Sequence, residues 1–285
     1  MSIDIEQLKS WIGRAEVRTD MLAATPVQGL LAMLDHDSDE PLPGGRAPHC
    51  GHWLYSFTPI PRRSQLGPDG HPLRGGFLPP IPFPRRMWAG SQIQFTHPLL
   101  IGEALQRRST ITNIRLKEGR SGVLIFVRVR HEVGNGHEVA LVEDQDLVYR
   151  DDPDKSATVN AATMAPAESQ FSRTIHAEPT LLFRYSALTH NGHRIHYDRP
   201  YAMEVEQYPG LVVHAPLIAT LLLDLLARHG PQNELARFSF RAVKPLFDTE
   251  AFKVCGRVEP GGRSVRLWAQ DAGGELAMDA TAVLR

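Results

Sequence analysis

The chain has 285 residues, of which 42% are hydrophobic and 22% are charged, and both shares are typical of a folded globular protein. Lysine and arginine total 31 against 32 aspartate and glutamate residues, with no block of five like charges, so the sequence excludes a basic surface for nucleic acid or anionic lipid. No apolar run reaches the roughly 18 residues that span a bilayer, and the charged start lacks the apolar segment of a signal peptide. We therefore expect a cytoplasmic protein with no nucleic-acid partner and no membrane partner.

The first 150 residues contain two helix candidates, a proline-rich loop and a run of strands. Helices are predicted over Ile5–Arg14 and Pro26–Leu34, and the second is apolar enough to be a buried central helix. The proline-rich run Pro59–Pro84 is predicted to be a long loop, of the kind that often forms the lid or rim of a site. Alternating apolar residues between turns predict three antiparallel strands, Ala104–Leu116, Ser121–Val133 and Glu138–Arg150.

Residues 151–170 differ in composition from the rest of the chain. They are rich in Ala, Pro, Ser and acidic residues and have almost no large apolar side chain, so burial cannot offset the entropy cost of ordering them. This predicts a linker between an N-terminal domain, residues 1–150, and a C-terminal domain, residues 171–285.

The C-terminal part repeats the pattern of the first. A nearly all-apolar helix is predicted over Pro216–Arg228, with proline at its start, and an antiparallel sheet wrapped around it would cover its sides. Four strands are predicted after it, over Phe238–Val243, Ala251–Val258, Ser264–Ala269 and Glu275–Leu284. At an offset of 147 residues His97-Pro98-Leu99 and Glu103 match Lys244-Pro245-Leu246 and Glu250, and at 143 residues Gly119-Arg120-Ser121 matches Gly262-Arg263-Ser264. Chance matches of turn residues are the alternative to two related α+β domains that differ by one four-residue deletion.

The densest cluster of chemistry-bearing residues is histidine. Four of the 13 histidines lie within 25 residues, namely His190, His193, His196 and His214. The spacing of three between the first three suits neither alternate strand positions nor a zinc motif of the HExxH type, and the two cysteines, Cys50 and Cys255, complete no metal set. We therefore expect no metal and no other cofactor. For each histidine, a hydrogen-bonded structural role is the alternative to a catalytic one.

The segment THNGHRIHYDRPYA at residues 189–202, followed by YPGLVVHAPL at residues 208–217, carries a family likeness. It resembles the signature of the MaoC or hydratase-2 enoyl-CoA hydratases, roughly S-G-D-x-N-P-I-H-x-D and then G-x-x-x-P-I-x-H-G where the central helix opens. Residues 171–285 are similar to that domain, and the first half is similar to the degenerate partner domain of the type-2 hydroxyacyl-thioester dehydratase branch. Within the family, bacterial itaconyl-CoA and mesaconyl-C4-CoA hydratases share this length. The resemblance covers nearly the whole chain and implies a double hot-dog fold of class α+β, with two antiparallel sheets each wrapped around a central helix.

Residue by residue, the resemblance implies a catalytic role for His196 and aligns Asn191 with the family's catalytic aspartate. His193 aligns with its asparagine, Arg194 replaces its proline, and Ala215 replaces the glycine after the helix-opening histidine. An amide can hold water but cannot take a proton at neutral pH, so the role of base falls to His196, with Asn191 orienting the water. His193 is placed among the substrate-binding residues.

Adding water to an unsaturated thioester needs a base for the water, an acid for the α-carbon and donors for the enolate-like oxygen. Backbone N–H groups at the start of the helix Pro216–Arg228, together with Ala215, are predicted to supply the donors. Asp198 lies two residues after His196 and either orients the imidazole, binds substrate or caps a following helix. His214 is either a partner of His196 or a structural residue.

A substrate with a free carboxylate needs a planar, bidentate cation, which arginine supplies. Arg194, Arg85 and Arg86 are the candidates for this clamp, and a plain surface position is the alternative for each. Arg62 and Arg63 in the proline-rich loop are candidates for binding the CoA phosphates.

The resemblance implies a hydratase acting on a branched C5-dicarboxylyl-CoA, with mesaconyl-C4-CoA as the immediate alkene, itaconyl-CoA reached by isomerisation, and citramalyl-CoA as product. The residues alone support only an acyl-thioester site in a two-domain α+β protein. Three alternatives are open: a general 3-hydroxyacyl-thioester dehydratase acting on fatty-acyl chains, a non-catalytic acyl-CoA-binding protein, and a thioesterase. The expected partner is an acyl-CoA thioester, and a homodimer is left open.

Overall fold

The computed structural model describes residues 3–37, 43–54, 57–119, 122–151 and 162–285. The helices in these ranges are α1 (Ile5–Lys9), α2 (Ala24–Met33), α3 (Pro179–Leu188) and α4 (Ala215–His229). The strands are β1 (Ala15–Met21), β2 (Arg85–Phe95), β3 (Ala104–Gly119), β4 (Gly122–Gly134), β5 (Val139–Arg150), β6 (Phe171–Ile175), β7 (Leu235–Ala242), β8 (Phe252–Val258), β9 (Ser264–Gln270) and β10 (Leu276–Leu284). Short 3₁₀ turns lie at Gly51–Trp53, Arg63–Gln65 and Arg194–His196, and a π-helical turn lies at Tyr201–Val205. Within these ranges no helix is long and apolar enough to cross a membrane.

The ten strands form a single antiparallel sheet in the order β1-β3-β4-β5-β2-β7-β10-β9-β8-β6. The second five strands mirror the first five, as the sequence repeat predicts. β2 and β7 pair antiparallel, with Gly90 opposite Arg241 and Gln94 opposite Arg237, and so join the two halves. The two sheets expected from the sequence are therefore continuous, because each half supplies the hydrogen-bonding partner for the other's edge strand.

The start of the chain differs from the prediction of a helix over Ile5–Arg14. α1 ends at Lys9, where the Ser10 hydroxyl donates to the Gln7 carbonyl at 2.6 Å. Gly13 then adopts a φ of +88°, which reverses the chain into β1. The sequence also gave no prediction for β1, β2, β6 and α3, because short or irregularly patterned segments carry little periodic signal.

α4 fills the concave face of the second half of the sheet. The run Pro216–Leu226 is buried throughout, as predicted for a helix that protein covers on all sides. Its one acidic residue, Asp224, accepts hydrogen bonds from Arg173 Nη1 at 2.8 Å and Arg228 Nε at 3.0 Å, which compensate the buried charge. His36 Nε2 contacts the same carboxylate at 2.6 Å and ties the first half to this helix.

In the first half, α2 takes the corresponding place but is shorter and packs against α3. Its buried residues include Val27, Leu30 and Met33. Gly29 lies so close to α3 that an added Cβ would be 2.9 Å from Leu188 Cδ2. One hydrophobic core thus continues from α2 through α3 to α4.

The expected linker, residues 151–170, falls partly outside the described residues, which do not include 152–161. Arg120 and Ser121, which belong to the repeat match and to the predicted strand Ser121–Val133, also lie outside them. The division into domains 1–150 and 171–285 stays a prediction, and the main core cluster contains residues from both ranges.

Candidate active site

A cavity of about 1400 Å³ opens between the signature segment and the first half of the sheet. The proline-rich loop forms part of its wall, as expected for a rim, with lining residues between Pro59 and Leu78. Because both halves contribute side chains, the cavity is a shared site. Its polar lining includes Asn191, His193, His196, His71, Arg74, Arg86, Arg107, His131 and Glu143.

His196 ends the 3₁₀ turn Arg194–His196 and is buried against this cavity. Its Nδ1–H donates to the Val212 carbonyl at 2.7 Å, which fixes the tautomer that leaves Nε2 unprotonated. Burial lowers the pKa of His196 to about 4, so the ring is neutral at pH 7. A neutral imidazole with a free Nε2 beside a cavity can take a proton from a bound water.

His214 lies directly behind His196. The two rings are stacked, with centroids 3.6 Å apart and planes inclined by 18°. His214 Nε2 pairs with the Ser186 hydroxyl at 2.8 Å, and burial lowers the pKa of His214 well below its usual value. Both rings are therefore neutral and pack without charge repulsion. Of the two alternatives for His214, this contact makes it a packing partner of His196 that does not itself line the cavity.

Asn191 begins the turn that presents the signature. The Asn191 side-chain Oδ1 accepts from the His193 backbone N–H at 3.0 Å, and the Asn191 backbone N–H donates to the Ser186 carbonyl at 2.8 Å. The side-chain oxygen is thus used by the turn. What Asn191 offers the cavity is its NH₂ group, a donor for water or substrate.

Ala215 lies at the first position of α4 and lines the cavity with Pro216. Among the described residues, positive φ angles outside glycine occur at Asp35, His190 and Gln207, so Ala215 is not strained by its Cβ. N–H groups in the first turn of a helix have no intrahelical acceptor, and the helix dipole favours negative charge there. This end of α4 can therefore donate to an oxygen that gains charge.

Two residues that the sequence analysis did not single out reach the same site from the proline-rich loop. Asp69 Oδ2 accepts from His71 Nδ1–H at 2.9 Å, and the His71 ring centroid is 4.1 Å from that of His193. His193 is buried, with its ring 5.4 Å from that of His196. Aspartate and histidine two residues apart in a loop carry no specific signal, so nothing in the sequence could have identified them.

Asp69, His71 and His193 also bring three ligand-type atoms within 4.8 Å of one another, an arrangement that can hold a metal ion. His71 Nδ1 is already bonded to Asp69. Burial lowers the pKa of His71 to about 4, and the charges of Arg86 and Arg74 contribute to the lowering. These guanidinium groups favour an anion over a cation at this end of the cavity, and the absence of a metal stays a prediction.

Arg194 and Asp198 bind each other and do not line the cavity. Arg194 Nε and Nη2 donate to Asp198 Oδ2 at 2.9 and 2.7 Å, Nη1 donates to the Pro68 carbonyl at 3.0 Å, and the guanidinium lies 4.1 Å from the Tyr201 ring centroid. Asp198 Oδ1 accepts from the Tyr201 N–H at 3.2 Å, which is the capping alternative for this residue. Neither residue lines the cavity, and the substrate contacts expected for both stay predictions.

Arg85 and Arg86 are neighbours on β2 and so point to opposite faces of the strand. Arg85 is buried, donates to the Glu206 carbonyl at 2.9 Å and lies 3.5 Å from the Glu206 carboxylate, away from the cavity. Arg86 lines the cavity. Arg62 and Arg63 are exposed and do not line it. Of the three predicted clamp residues, Arg86 alone lines the cavity.

In the part of the cavity that lies over the first half of the sheet, buried polar groups lie among apolar side chains such as Val129 and Leu147. Glu143 Oε2 accepts from His52 Nε2 at 3.1 Å and Trp53 Nε1 at 3.0 Å, and Oε1 accepts from the Ser91 hydroxyl at 2.6 Å. Burial opposes ionisation of Glu143, but these hydrogen bonds and the charge of His52 hold its pKa at about 2. Burial lowers the pKa of the neighbouring Arg107 to about 10.

Comparison with known proteins identifies related sequences and structures. The model of the family hydroxyacyl-thioester dehydratase type 2 matches residues 49–248. Mesaconyl-C(4)-CoA hydratase of Chloroflexus aurantiacus is 45% identical over 275 residues, which cover 96% of this chain and 97% of that protein. The mitochondrial hydroxyacyl-thioester dehydratase type 2 of Schizosaccharomyces pombe is 28% identical over 229 residues, covering 72% and 75%. Among solved structures, a MaoC-like dehydratase from Phytophthora capsici has a TM-score of 0.70 at 14% identity, covering 99% and 98%.

The structural match confirms the α+β hot-dog fold, and the sequence matches confirm the predicted family resemblance. Hydratase and dehydratase name the two directions of one reaction, the addition of water to an unsaturated acyl thioester and its removal. The family model and the relative at 45% identity both extend over most of the chain, including the signature at residues 189–202. The chain therefore belongs to the hydroxyacyl-thioester dehydratase type 2 family, a family of hydro-lyases that act on acyl thioesters.

Proposed function

We propose that this protein is a hydratase that adds water to mesaconyl-C4-CoA to form citramalyl-CoA, with itaconyl-CoA entering after isomerisation. The observation that carries the proposal is Arg86, whose guanidinium lines the cavity close to His71 and His193. Among the described residues no carboxylate forms an ion pair with Arg86. An anionic group of the substrate would therefore supply the partner for its guanidinium. The 45% identity to mesaconyl-C(4)-CoA hydratase supports the same substrate.

The position of the substrate's carboxylate explains why the clamp has to lie beside the base. In mesaconyl-C4-CoA the free carboxylate is attached to the β-carbon, the atom that receives the hydroxyl group. A guanidinium that holds this carboxylate therefore lies within a few ångströms of the attacking water. Arg86 lines the same cavity as His196 and lies close to His193, whereas Arg85 and Arg194 are bonded elsewhere. Two parallel N–H···O bonds would also fix which face of the alkene meets the water.

The hydration is assigned to the groups around His196. His196 Nε2 takes a proton from a water held by the Asn191 NH₂ group, and the oxygen attacks the β-carbon. Negative charge then moves to the thioester oxygen, where the Ala215 N–H and the start of α4 donate. One such donor typically stabilises a transition state by about 3–4 kcal/mol. Protonation of the α-carbon completes the addition.

The polar groups of the cavity support a short, charged acyl group rather than a fatty-acyl chain. Glu143, His131 and Arg107 line the part of the cavity that lies over the first half of the sheet. A long alkyl chain laid along these groups would desolvate them without replacing their hydrogen bonds. This argues against the alternative of a dehydratase for fatty-acyl thioesters.

The proposal is tested by incubating the purified protein with mesaconyl-C4-CoA and measuring citramalyl-CoA by mass spectrometry. We expect turnover of this substrate with a kcat/KM at least tenfold above that of crotonyl-CoA, which lacks the carboxylate. The His196→Ala variant is the negative control. Hydration of crotonyl-CoA at an equal or higher kcat/KM would favour the general dehydratase, and hydrolysis to free CoA would favour a thioesterase.

A further inference from the structure

The hydration scheme leaves one proton carrier unassigned. Removing a proton from water and adding one to the α-carbon are separate steps, and each needs a group with a free nitrogen or oxygen. His196 has one such nitrogen, since its Nδ1–H is committed to Val212. Asn191 cannot exchange a proton at neutral pH, and its Oδ1 is committed to the His193 N–H. A second acid–base group is therefore expected in the same cavity.

Asp69 and His71 have the geometry of such a group. Asp69 Oδ2 accepts from His71 Nδ1–H at 2.9 Å, and Asp69 Oδ1 accepts from the His71 backbone N–H at 3.0 Å. This arrangement fixes the tautomer and leaves His71 Nε2 free to carry a proton. The side chains are 17% and 21% exposed for His71 and Asp69, and His71 lines the cavity.

The loop that carries this pair is fixed to the signature by backbone contacts. The Arg194 N–H donates to the Asp69 carbonyl at 2.9 Å, and Arg194 Nη1 donates to the Pro68 carbonyl at 3.0 Å. Gly70, with a φ of +85°, approaches Gly192 so closely that an added Cβ would lie 1.9 Å from the Gly192 carbonyl oxygen. The place of His71 beside the catalytic segment is thus built into the backbone of both segments.

Five charged or titratable side chains act electrostatically on His71 or are acted on by it, namely Asp69, His193, His196, Arg86 and Arg74. Burial lowers the pKa of His71 to about 4, Arg86 and Arg74 also lower it, and Asp69 raises it. An anionic substrate on Arg86 would cancel much of the repulsion from that guanidinium. Substrate binding would then raise the proton affinity of His71 when the acid is needed.

We infer that the Asp69–His71 pair is the second acid–base group of this site and donates the proton to the α-carbon. The inference rests on the proposed hydration. In this step the water oxygen bonds to the β-carbon while one water proton passes to His196 Nε2. His71 Nε2 takes up one proton from solvent when the anionic substrate binds at Arg86. It then passes that proton to the α-carbon, where the electron pair of the former double bond forms the new C–H bond. The proton on His196 then returns to His71 by way of His193, and this restores both groups. The His193 ring centroid is 5.4 Å from that of His196 and 4.1 Å from that of His71.

The test compares His71→Gln and Asp69→Asn with His137→Gln, a substitution of an exposed histidine in the turn between β4 and β5. We expect kcat for the preferred thioester to fall at least a hundredfold in His71→Gln and at least tenfold in Asp69→Asn, with KM changed less than threefold. The solvent deuterium isotope effect on kcat is expected to rise in both, because proton donation becomes the slow step. A purely structural loss would not raise it. His137→Gln is expected to match the parent.

The outcomes separate this inference from the proposed function. If the parent hydrates no unsaturated thioester, the proposed function fails and the inference fails with it. If the parent is active and folded His71→Gln and Asp69→Asn both keep more than a third of its kcat, only the inference fails. If His71→Gln does not fold, the kcat and solvent isotope effect of the near-isosteric Asp69→Asn variant decide whether the inference holds. Activity that EDTA removes and zinc restores would show that Asp69, His71 and His193 hold a metal, which would overturn the inference.

Discussion

The two halves of the sheet have the same strand order but use their concave faces differently. In the second half α4 is buried along Pro216–Leu226 and occupies that face. In the first half the shorter α2 turns toward α3, and polar residues such as Glu143 and Arg107 line open space. In the proposed function, the second half thus provides His196 and the end of α4, and the first half provides room for the substrate and the loop that carries Asp69 and His71. Duplicated units can divide a task in this way because only one of them needs a fully packed face.

The strongest test of this division compares two histidines that line the cavity, one from each half. His196→Ala removes the proposed base, and kcat is expected to fall at least a hundredfold, equivalent to about 2.7 kcal/mol or more. His131→Gln changes a cavity histidine of the first half and is expected to lower kcat less than tenfold. Steady-state kinetics with circular dichroism as a folding check would measure both. A larger loss in His131→Gln than in His196→Ala would contradict the division.

The difference in helix packing is testable through stability. Leu222 on α4 is fully buried, whereas Leu31 on α2 is half-buried. Leu222→Ala is expected to lower the free energy of unfolding by about 2–5 kcal/mol, because the covered helix leaves a cavity that cannot collapse. Leu31→Ala is expected to cost less than half as much. Urea unfolding followed by circular dichroism measures both, and equal costs would show that α2 is as fully packed as α4.

The contribution of the first half to specificity is tested at Arg86. Arg86→Met is expected to lower the preference for mesaconyl-C4-CoA over crotonyl-CoA by ten- to over a hundredfold, since a charge-assisted pair is worth about 1.5–3 kcal/mol. Arg194→Met is the matched control, and its ratio of kcat/KM values is expected to stay within threefold, because Arg194 binds Asp198 outside the cavity. A larger change in the Arg194 variant would indicate that Arg194, in the signature segment, binds the substrate carboxylate.

The smallest expected effect concerns pH. Burial lowers the pKa of His196 and His131 to about 4 in the folded protein, against about 6.5 in the unfolded chain. The unfolded chain therefore binds protons first, and stability is expected to fall as pH drops from about 6.5 toward 4. His196 stays neutral over this range, so protonation of His196 should lower kcat/KM only near pH 4. Melting temperatures measured from pH 8 to 4 report the stability, and initial rates over the same range report kcat/KM. In His131→Gln the melting temperature should fall less, with the rate profile unchanged; a decline in kcat/KM centred near pH 6.5 would contradict the burial of His196.

The sequence was sufficient to predict the helices and strands that have strong hydrophobic patterns. The long alternating runs predicted β3, β4 and β5, and the apolar run with its leading proline predicted α4 to within one residue at each end. β2 was missed because it directly follows the proline-rich loop, and β6 because five residues give too few alternations. The predicted helix at Ile5–Arg14 was too long, since Gly13 and the pairing of β1 with β3 stop it.

At the site, the sequence by itself determined the histidine cluster, its family likeness and the helix that opens beside it, because all of these lie within about 40 consecutive residues. Only the tertiary structure decided which arginine faces the cavity, since Arg85 and Arg86 differ only in the face of β2 on which they lie. It also decided that Asp69 and His71 meet His193, more than 120 residues away in the chain. Such pairs follow from the packing of one backbone segment against another, as at Gly70 and Gly192, and no local propensity encodes that approach.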